Sequence, residues 1–264
     1  MPDIRPMKPE DWDEFHEMDL ELFPDDSMEE NHFKKRTEND GCFALMQDNR
    51  IIGCLIVARF GEDEAYLGRI GVSKTHQGKG FGSLLMEYAI DWYHEQGGIK
   101  ATHLLTQDYN KAAQNLYKKY GFKRTGTTWS FYVPYDSVRP QKKYRCQKIQ
   151  EEEIDPVGSL FPSLPPQQIR RFLSADGQLV LTLKDLNGKI KGACRFTPSF
   201  PGCFPFEITS IDCFDDFATG LMEFKLPEHD YFRVTFTDIP DLAKLCEERE
   251  YRLHHRLHKM TMTL

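Results

Sequence analysis

No apolar run in this 264-residue chain approaches the roughly 18 residues that cross a membrane, so no membrane partner is expected. The N-terminus, Met1-Pro2-Asp3-Ile4-Arg5, lacks a basic segment followed by an apolar stretch, and secretion is not expected. An excess of positive charge is also missing. Lys and Arg number 34 against 41 Asp and Glu, a formal net charge of -7. That overall field is unsuited to wrapping a phosphate backbone, which argues against nucleic acid. A local basic site for a small anion stays open. The seven cysteines (Cys42, Cys54, Cys146, Cys194, Cys203, Cys213 and Cys246) are odd in number and never spaced C-x-x-C. Zinc-ligand pairs two to four residues apart are therefore lacking. Several lie inside apolar runs and read as reduced, mostly buried thiols of a cytoplasmic protein.

What is present is ordinary globular material: 40% hydrophobic, 28% charged and 12% aromatic residues, with 19 phenylalanines for a sizeable core. Ile4 to Met7 reads as a short strand. Lys8-Pro9-Glu10-Asp11 opens a helix carrying Trp12, Phe15, Met18, Leu22 and Phe23 at helical spacing. A second helix is expected over Met28 to Thr37. Cys42 to Gln47 and Ile51 to Phe60 form a hairpin about Asp48-Asn49-Arg50, and Glu64 to Val72 follows as a further strand. A helix with Leu84, Leu85, Tyr88, Ala89 and Trp92 on one stripe ends near Gly97-Gly98. Thr102 to Thr106 is a strand. Asn110 caps a helix stopped by Gly121, and Thr127 to Val133 closes the set.

The basic run Arg139 to Lys148, the acidic Glu151-Glu152-Glu153 and the prolines from Pro156 to Pro166 read as a solvated linker. They place a first domain at 1–140 and a second at 150–264. The second echoes the first. Asp176-Gly177 to Leu181 parallels Asp40-Gly41 to Leu45, Asn187 to Cys194 parallels Asp48 to Cys54, and Leu242 to Leu257 parallels Ala113 to Thr128. This is one fold in two copies, not a short-period solenoid.

Chemistry concentrates in Gln77-Gly78-Lys79-Gly80-Phe81-Gly82, between a strand and an amphipathic helix. Backbone N–H groups at a helix start converge with partial positive charge, glycine lets an anion approach them, and Lys79 adds a full charge. The pattern predicts a diphosphate cradle. It is not a P-loop, because Gly80 follows Lys79 where Ser or Thr is required. Nor is it the dinucleotide fingerprint, because Ser83 stands at the third glycine position. Gln77, Gly80 and Gly82 do match Q/R-x-x-G-x-G/A.

That signature resembles the GNAT N-acetyltransferase superfamily from about Ile4 to Val133. The strand ending Arg69-Ile70-Gly71-Val72 and the stretch Asn110 to Phe122, matching N-x-x-A-x-x-L-Y-x-K-x-G-F, resemble the same family. The resemblance implies a mixed α/β fold, a mostly antiparallel central sheet flanked by helices, here as two tandem GNAT-like domains. It implies acetyl-CoA as acyl donor, its diphosphate on the amides of Gln77, Gly78, Lys79, Gly80, Phe81, Gly82 and Ser83. The pantetheine arm would lie along Ile70, Gly71 and Val72, with Asn110 as a further cofactor contact and Tyr117 as the acid for the departing thiolate. The acceptor would be the amine of a small molecule or peptide, attacking directly. A non-catalytic acyl-CoA sensor is the alternative, motivated by a fifth strand, Thr102 to Gln107, without an acid.

Each residue has a plainer reading. Tyr117 could be core, Asn110 only a cap, Lys79 a solvated loop lysine, and the glycines a tight turn. Glu64 could serve as base or simply as a turn acid, and His103 could face either side, so no base is assigned. His254, His255 and His258 suggest a metal, but their stretch parallels a strand and no acid or Cys stands at ligand spacing. The second copy has Asp215-Asp216-Phe217-Ala218-Thr219-Gly220 where the first has its glycine loop, and two carboxylates there would repel a phosphate.

Overall fold

A computed structural model describes residues 2–264. The chain forms two compact units. One runs up to Thr125 and takes in Lys259–Leu264; the other is Gly126–His258. In chain order the main elements begin β1 (Asp3–Pro6), α1 (Trp12–Leu22), α2 (Glu30–Thr37), β2 (Cys42–Gln47), β3 (Arg50–Phe60) and β4 (Glu64–Val72). Next come α3 (Phe81–Glu95), β5 (Ala101–Gln107), α4 (Lys111–Lys119), β6 (Lys123–Pro134), β7 (Tyr144–Lys148), α5 (Ile154–Leu160) and α6 (Pro166–Leu173). The rest are β8 (Leu179–Asp185), β9 (Ile190–Thr197), β10 (Gly202–Ile208), α7 (Phe214–Leu221), β11 (Tyr231–Thr237), α8 (Pro240–Glu248) and β12 (Arg252–Thr263).

The first unit's sheet runs β1-β2-β3-β4-β5, antiparallel except for the parallel β4–β5 pair. Asp48 and Asn49, both at positive φ, make the tight β2–β3 turn that the sequence predicts. Both faces are covered. Leu85, Met86 and Trp92 of α3 and Tyr117 of α4 pack on one; Phe15 and Met18 of α1 and Phe33 of α2 pack on the other. The second unit runs β6-β11-β10-β9-β8-β7, with β10–β11 its parallel pair, and it too is covered on both faces. Helices α4 and α8, and strands β6 and β12, are equal in length and sit at one constant offset in the chain. The weak repeat is therefore a repeat of structure.

Four expectations need amendment. The first is the boundary. Gly126–Pro134 of β6 belongs to the second unit, paired with β11, while the last residues of β12 complete the first. Met260 and Met262 are buried in the α3/α4 core, and the Leu264 N–H bonds the Lys100 carbonyl at 2.9 Å. Because the two final strands are equal in length and sit at the same offset in the chain, the pattern alone does not say which unit takes which.

Second, the charged and proline-rich stretch is no linker. Its basic part becomes edge strand β7, with Tyr144 and Cys146 packed on the second unit's core. Its acidic part carries Glu153, buried against Lys184 and accepting the Gln150 N–H at 2.9 Å, ahead of α5. Third, α2 begins at Glu30 rather than Met28, because the Met28 N–H is held by the Asp19 carboxylate at 2.7 Å. Fourth, the first strand ends at Pro6, leaving Met7 as a buried plug.

Candidate active site

β4 and β5 pair only at their first halves, from Glu64↔Ala101 to Leu67↔Leu104. Beyond Leu67 they diverge. The cause is visible on the other edge of β4. Against β3 the register passes from Ile56↔Arg69 to Val57↔Leu67, so Gly68 is an extra residue, a bulge that bends β4. The Ser73 N–H bonds the Ile52 carbonyl toward β3 at 2.9 Å. Peptide groups alternate in direction along a strand, so those of Ile70 and Val72 point the opposite way, into the gap. The Val72 carbonyl there accepts the Gln77 side-chain amide at 2.9 Å. Gly71 points differently. A Cβ on it would lie 2.8 Å from Leu22, so this glycine makes room for the end of α1 and is not a lining residue of the gap.

The glycine loop follows. Gly78 and Gly80 have φ of 75° and 88°, and Gly80 precedes α3 in the left-handed conformation. A Cβ added at either meets nothing within 4 Å, so the space beside them is open. Ser83 and Leu84 both donate to the Gly80 carbonyl, at 3.0 and 3.1 Å. The N–H groups of Phe81 and Gly82 thus lack an acceptor inside the helix. Gly82 has another duty: its missing side chain lets Leu116 of α4 approach, within 3.2 Å of where a Cβ would be. Lys79 is exposed and donates to the Thr75 carbonyl at 3.1 Å.

The sequence reading passed over Lys119, whose Nζ reaches the Ser83 Oγ at 3.0 Å and brings a second cation to the helix start. Tyr120 ties the same turn to α4, its one hydroxyl proton shared between Glu87 at 2.7 Å and the Ser83 carbonyl at 3.1 Å. Open space, orphaned amides and two lysines make this loop fit a diphosphate.

Asn110 acts as a helix cap, its side chain accepting the Ala113 N–H at 3.0 Å. Buried Gln114, also passed over, donates to the carbonyls of Gln107 and Asp108 at 2.9 and 3.0 Å and so pins the end of β5 to α4. Tyr117 is 6% exposed. Burial, then its neighbours Tyr66 on β4 and Tyr93 on α3, raise its phenol above the ordinary range, so it stays protonated. Glu64 lies at the paired end of β4, six residues or about 20 Å from Ile70, which is the position of a turn acid. His103 sits beside the rings of Phe60 and Tyr66. Burial, aided by Lys259, holds its pKa down at about 4, so it is neutral; half-exposed Glu64, 3.7 Å away, does not offset this.

The loop between α1 and α2 is fastened over β4 by a group that the sequence did not reveal. Arg69 pairs with fully buried Asp19, bonds the Asp26 carbonyl at 2.5 Å and stacks on Phe23 at 4.5 Å. Its signal was available only as an arginine inside an otherwise apolar strand.

The second unit's counterpart is closed. Asp216 accepts the backbone N–H groups of Gln141, Lys142, Lys143 and Tyr144, at 2.7, 2.8, 2.8 and 3.1 Å. Asp215 takes a bidentate pair from Arg249 at 2.6 and 2.8 Å. A Cβ on Gly220 would fall 2.1 Å from that of Cys146, so β7 lies directly against α7. The three histidines of β12 join no metal cluster: among the described residues no three His, Cys, Asp or Glu side chains come together to hold one.

Known proteins agree with this division. The model of the acetyltransferase (GNAT) family matches residues 4–122. That match takes in a little under half of the chain, and this stretch is similar to the GNAT acetyltransferase family. The chain is 33% identical to streptothricin acetyltransferase of Escherichia coli over 104 residues, 39% of this chain and 57% of that protein. It is 28% identical to the probable N-acetyltransferase camello of Xenopus tropicalis over 117 residues, 43% of this chain and 52% of that protein. The chain thus spans a little over half the length of each. A tandem GNAT protein from the clavulanic acid biosynthesis pathway is similar in fold over the whole chain and 98% of its own, with TM-score 0.67 and 14% identity. A putative acetyltransferase from Pyrococcus horikoshii covers the whole chain and 89% of its own, with TM-score 0.74 and 13% identity. The whole chain is thus similar in fold to a tandem GNAT protein.

Proposed function

We propose that the first unit is an acetyl-CoA-dependent N-acetyltransferase acting on a primary amine of a small molecule or peptide. The supporting observation is the start of α3, where acceptor-less amides face open space beside the β4–β5 gap. Acetyl-CoA supplies an acetyl group activated as a thioester. The amides from Gly78 to Gly82, with Lys79 and Lys119, hold the diphosphate. Ile70 and Val72 offer strand-like hydrogen bonds to the pantetheine arm, and an amide of that stretch polarises the thioester carbonyl as the oxyanion develops.

Tyr117 faces the departing sulfur. A thiol's ordinary pKa is about 8.5. A phenol raised above its own ordinary range does not surrender its proton to such a thiolate; it stabilises it by donating a hydrogen bond. Neither Gly68 to Val72 nor Leu105 to Gln107 carries an acid, so the acceptor loses its proton to water. The likeness to streptothricin acetyltransferase and the net charge of -7 put cationic acceptors first. All seven cysteines are unpaired, which fits a cytoplasmic setting.

The test is thiol release. The full chain is mixed with acetyl-CoA and a panel of a polyamine, an aminoglycoside, an amino acid and a peptide, and free CoA is titrated with a thiol reagent. Release on at least one amine is expected. Tyr117→Phe should then lower kcat roughly tenfold or more with CoA affinity unchanged. Tight binding without release on any amine would make the unit a sensor, and unchanged turnover in Tyr117→Phe would remove that residue from the reaction.

A further inference from the structure

One face of the second unit's sheet carries its phenylalanine-rich core, including Phe196, Phe232 and Val234. Arg195 on β9 and Arg233 on β11 alternate with these residues and lie on the other face. There a cross-strand row runs from Thr197 through Gly202 and Arg233 to Tyr132, with Arg195 two residues before Thr197. Gly202 contributes no side chain to the row, and the exposed Phe200 ring stands over it. Arg233 stacks on that ring at 4.5 Å, and its Nη1 lies 3.0 Å from His254 Nε2. With Nε2 accepting, His254 Nδ1 carries the proton and donates to the Tyr132 oxygen at 3.3 Å, so this histidine is neutral. Arg195 stacks on Phe172 at 5.1 Å, and its Nε is buried without an acceptor.

Two other part-buried arginines each have a carboxylate: Arg69 has Asp19, and Arg249 has Asp215. Among the described residues no carboxylate lies within ion-pair distance of Arg195 or Arg233, and burial, with a smaller contribution from the Arg233 charge, disfavours the charged form of Arg195. A part-buried guanidinium with an unused buried donor, on the same sheet face as a second one, is costly unless an anion completes it. We propose that Arg195 and Arg233, backed by His254 and Tyr132, bind the carboxylate of a small organic molecule. A planar, singly charged carboxylate matches the arginine fork. The flanking Phe172 and Phe200 rings suit its organic remainder and would strip a phosphate dianion of more hydration. This site is separate from the glycine loop and does not depend on acetyl transfer.

The experiment is thermal unfolding of the full chain in benzoate, acetate or inorganic phosphate against chloride at fixed ionic strength. A saturable rise in Tm with benzoate, at least about 5 °C at hundredfold excess over Kd, is expected. Arg195→Met and Arg233→Met should each weaken benzoate binding tenfold or more and leave the affinity for CoA unchanged. In chloride, Arg195→Met should melt no lower than wild type, since it removes an uncompensated charge. Three results would overturn the proposal: no carboxylate effect beyond chloride, an effect that persists in both variants, or an effect of phosphate alone. A markedly lower Tm for Arg195→Met in chloride would also overturn it, by showing that the arginine is structural.

Discussion

Helices α3 and α7 start at equivalent places in two copies of one fold, and their first turns have been put to opposite uses. At α3 the residues are glycines, the amides have no acceptor in the helix, and open space lies outside. At α7 the residues are Asp215 and Asp216. Here a carboxylate gathers four backbone amides of the segment entering β7, and Gly220 allows that strand to close against the helix. The chemistry of hydrogen bonding is the same, with donors and acceptor exchanged. One copy leaves its donors open to the outside; the other supplies an acceptor to its own chain. The second unit has a structural joint where the first has open amides, so it cannot be read as the first with residues missing.

The sharpest way to break this comparison is to separate the copies. A chain ending at residue 140, where the sequence places the boundary, lacks Met260, Met262 and the Leu264–Lys100 hydrogen bond. Each buried methionine is worth about 2 kcal/mol and the β5 edge would be left unpaired. The fragment should fail to give a cooperative melt by circular dichroism, whereas adding residues 259–264 as a tethered segment should restore one.

Next in size is Asp216→Ala. Four amides lose their acceptor, and urea unfolding should show a loss of about 3 kcal/mol, with no gain of CoA affinity in the second unit. A gain would mean that the aspartate alone keeps the ligand out.

The smallest effect concerns the third residue of β5 and of β11, His103 in one unit and Arg233 in the other. With a folded pKa of about 4 against an unfolded value of about 6.5, His103 binds fewer protons folded than unfolded between those values. Its contribution is complete above pH 6.5 and is lost as pH falls toward 4. Unfolding at pH 7 and 5 should differ by about 2 kcal/mol from this group, and His103→Gln should flatten the difference.

Much of this was legible before the fold. The glycine spacing pointed to the start of α3, because glycine suits the positive φ at positions 78 and 80 better than other residues. The alternation and turn residues gave every strand of the first copy to within a residue or so, apart from the longer closing strand. What stayed hidden was non-local. The exchange of final strands is invisible because β6 and β12 are equal in length and in place along the chain. The charged stretch from 139 to 153 looked solvated because its partners, Asp216 and Lys184, lie far along the chain. The Gly68 bulge shows only against β3, and Gly71 answers to Leu22 rather than to a ligand.

Calorimetric titration of coenzyme A into the full chain, with Gly80→Asn and Gly80→Glu beside wild type, tests the role of the α3 start most directly. Wild type should bind one equivalent. Asn tolerates the left-handed backbone and should keep most of the affinity, whereas Glu, at a φ of 88° and beside the diphosphate, should weaken it at least about a hundredfold with the cooperative melt retained. Two equivalents per chain, no heat from folded wild type, or undiminished binding by Gly80→Glu would contradict it.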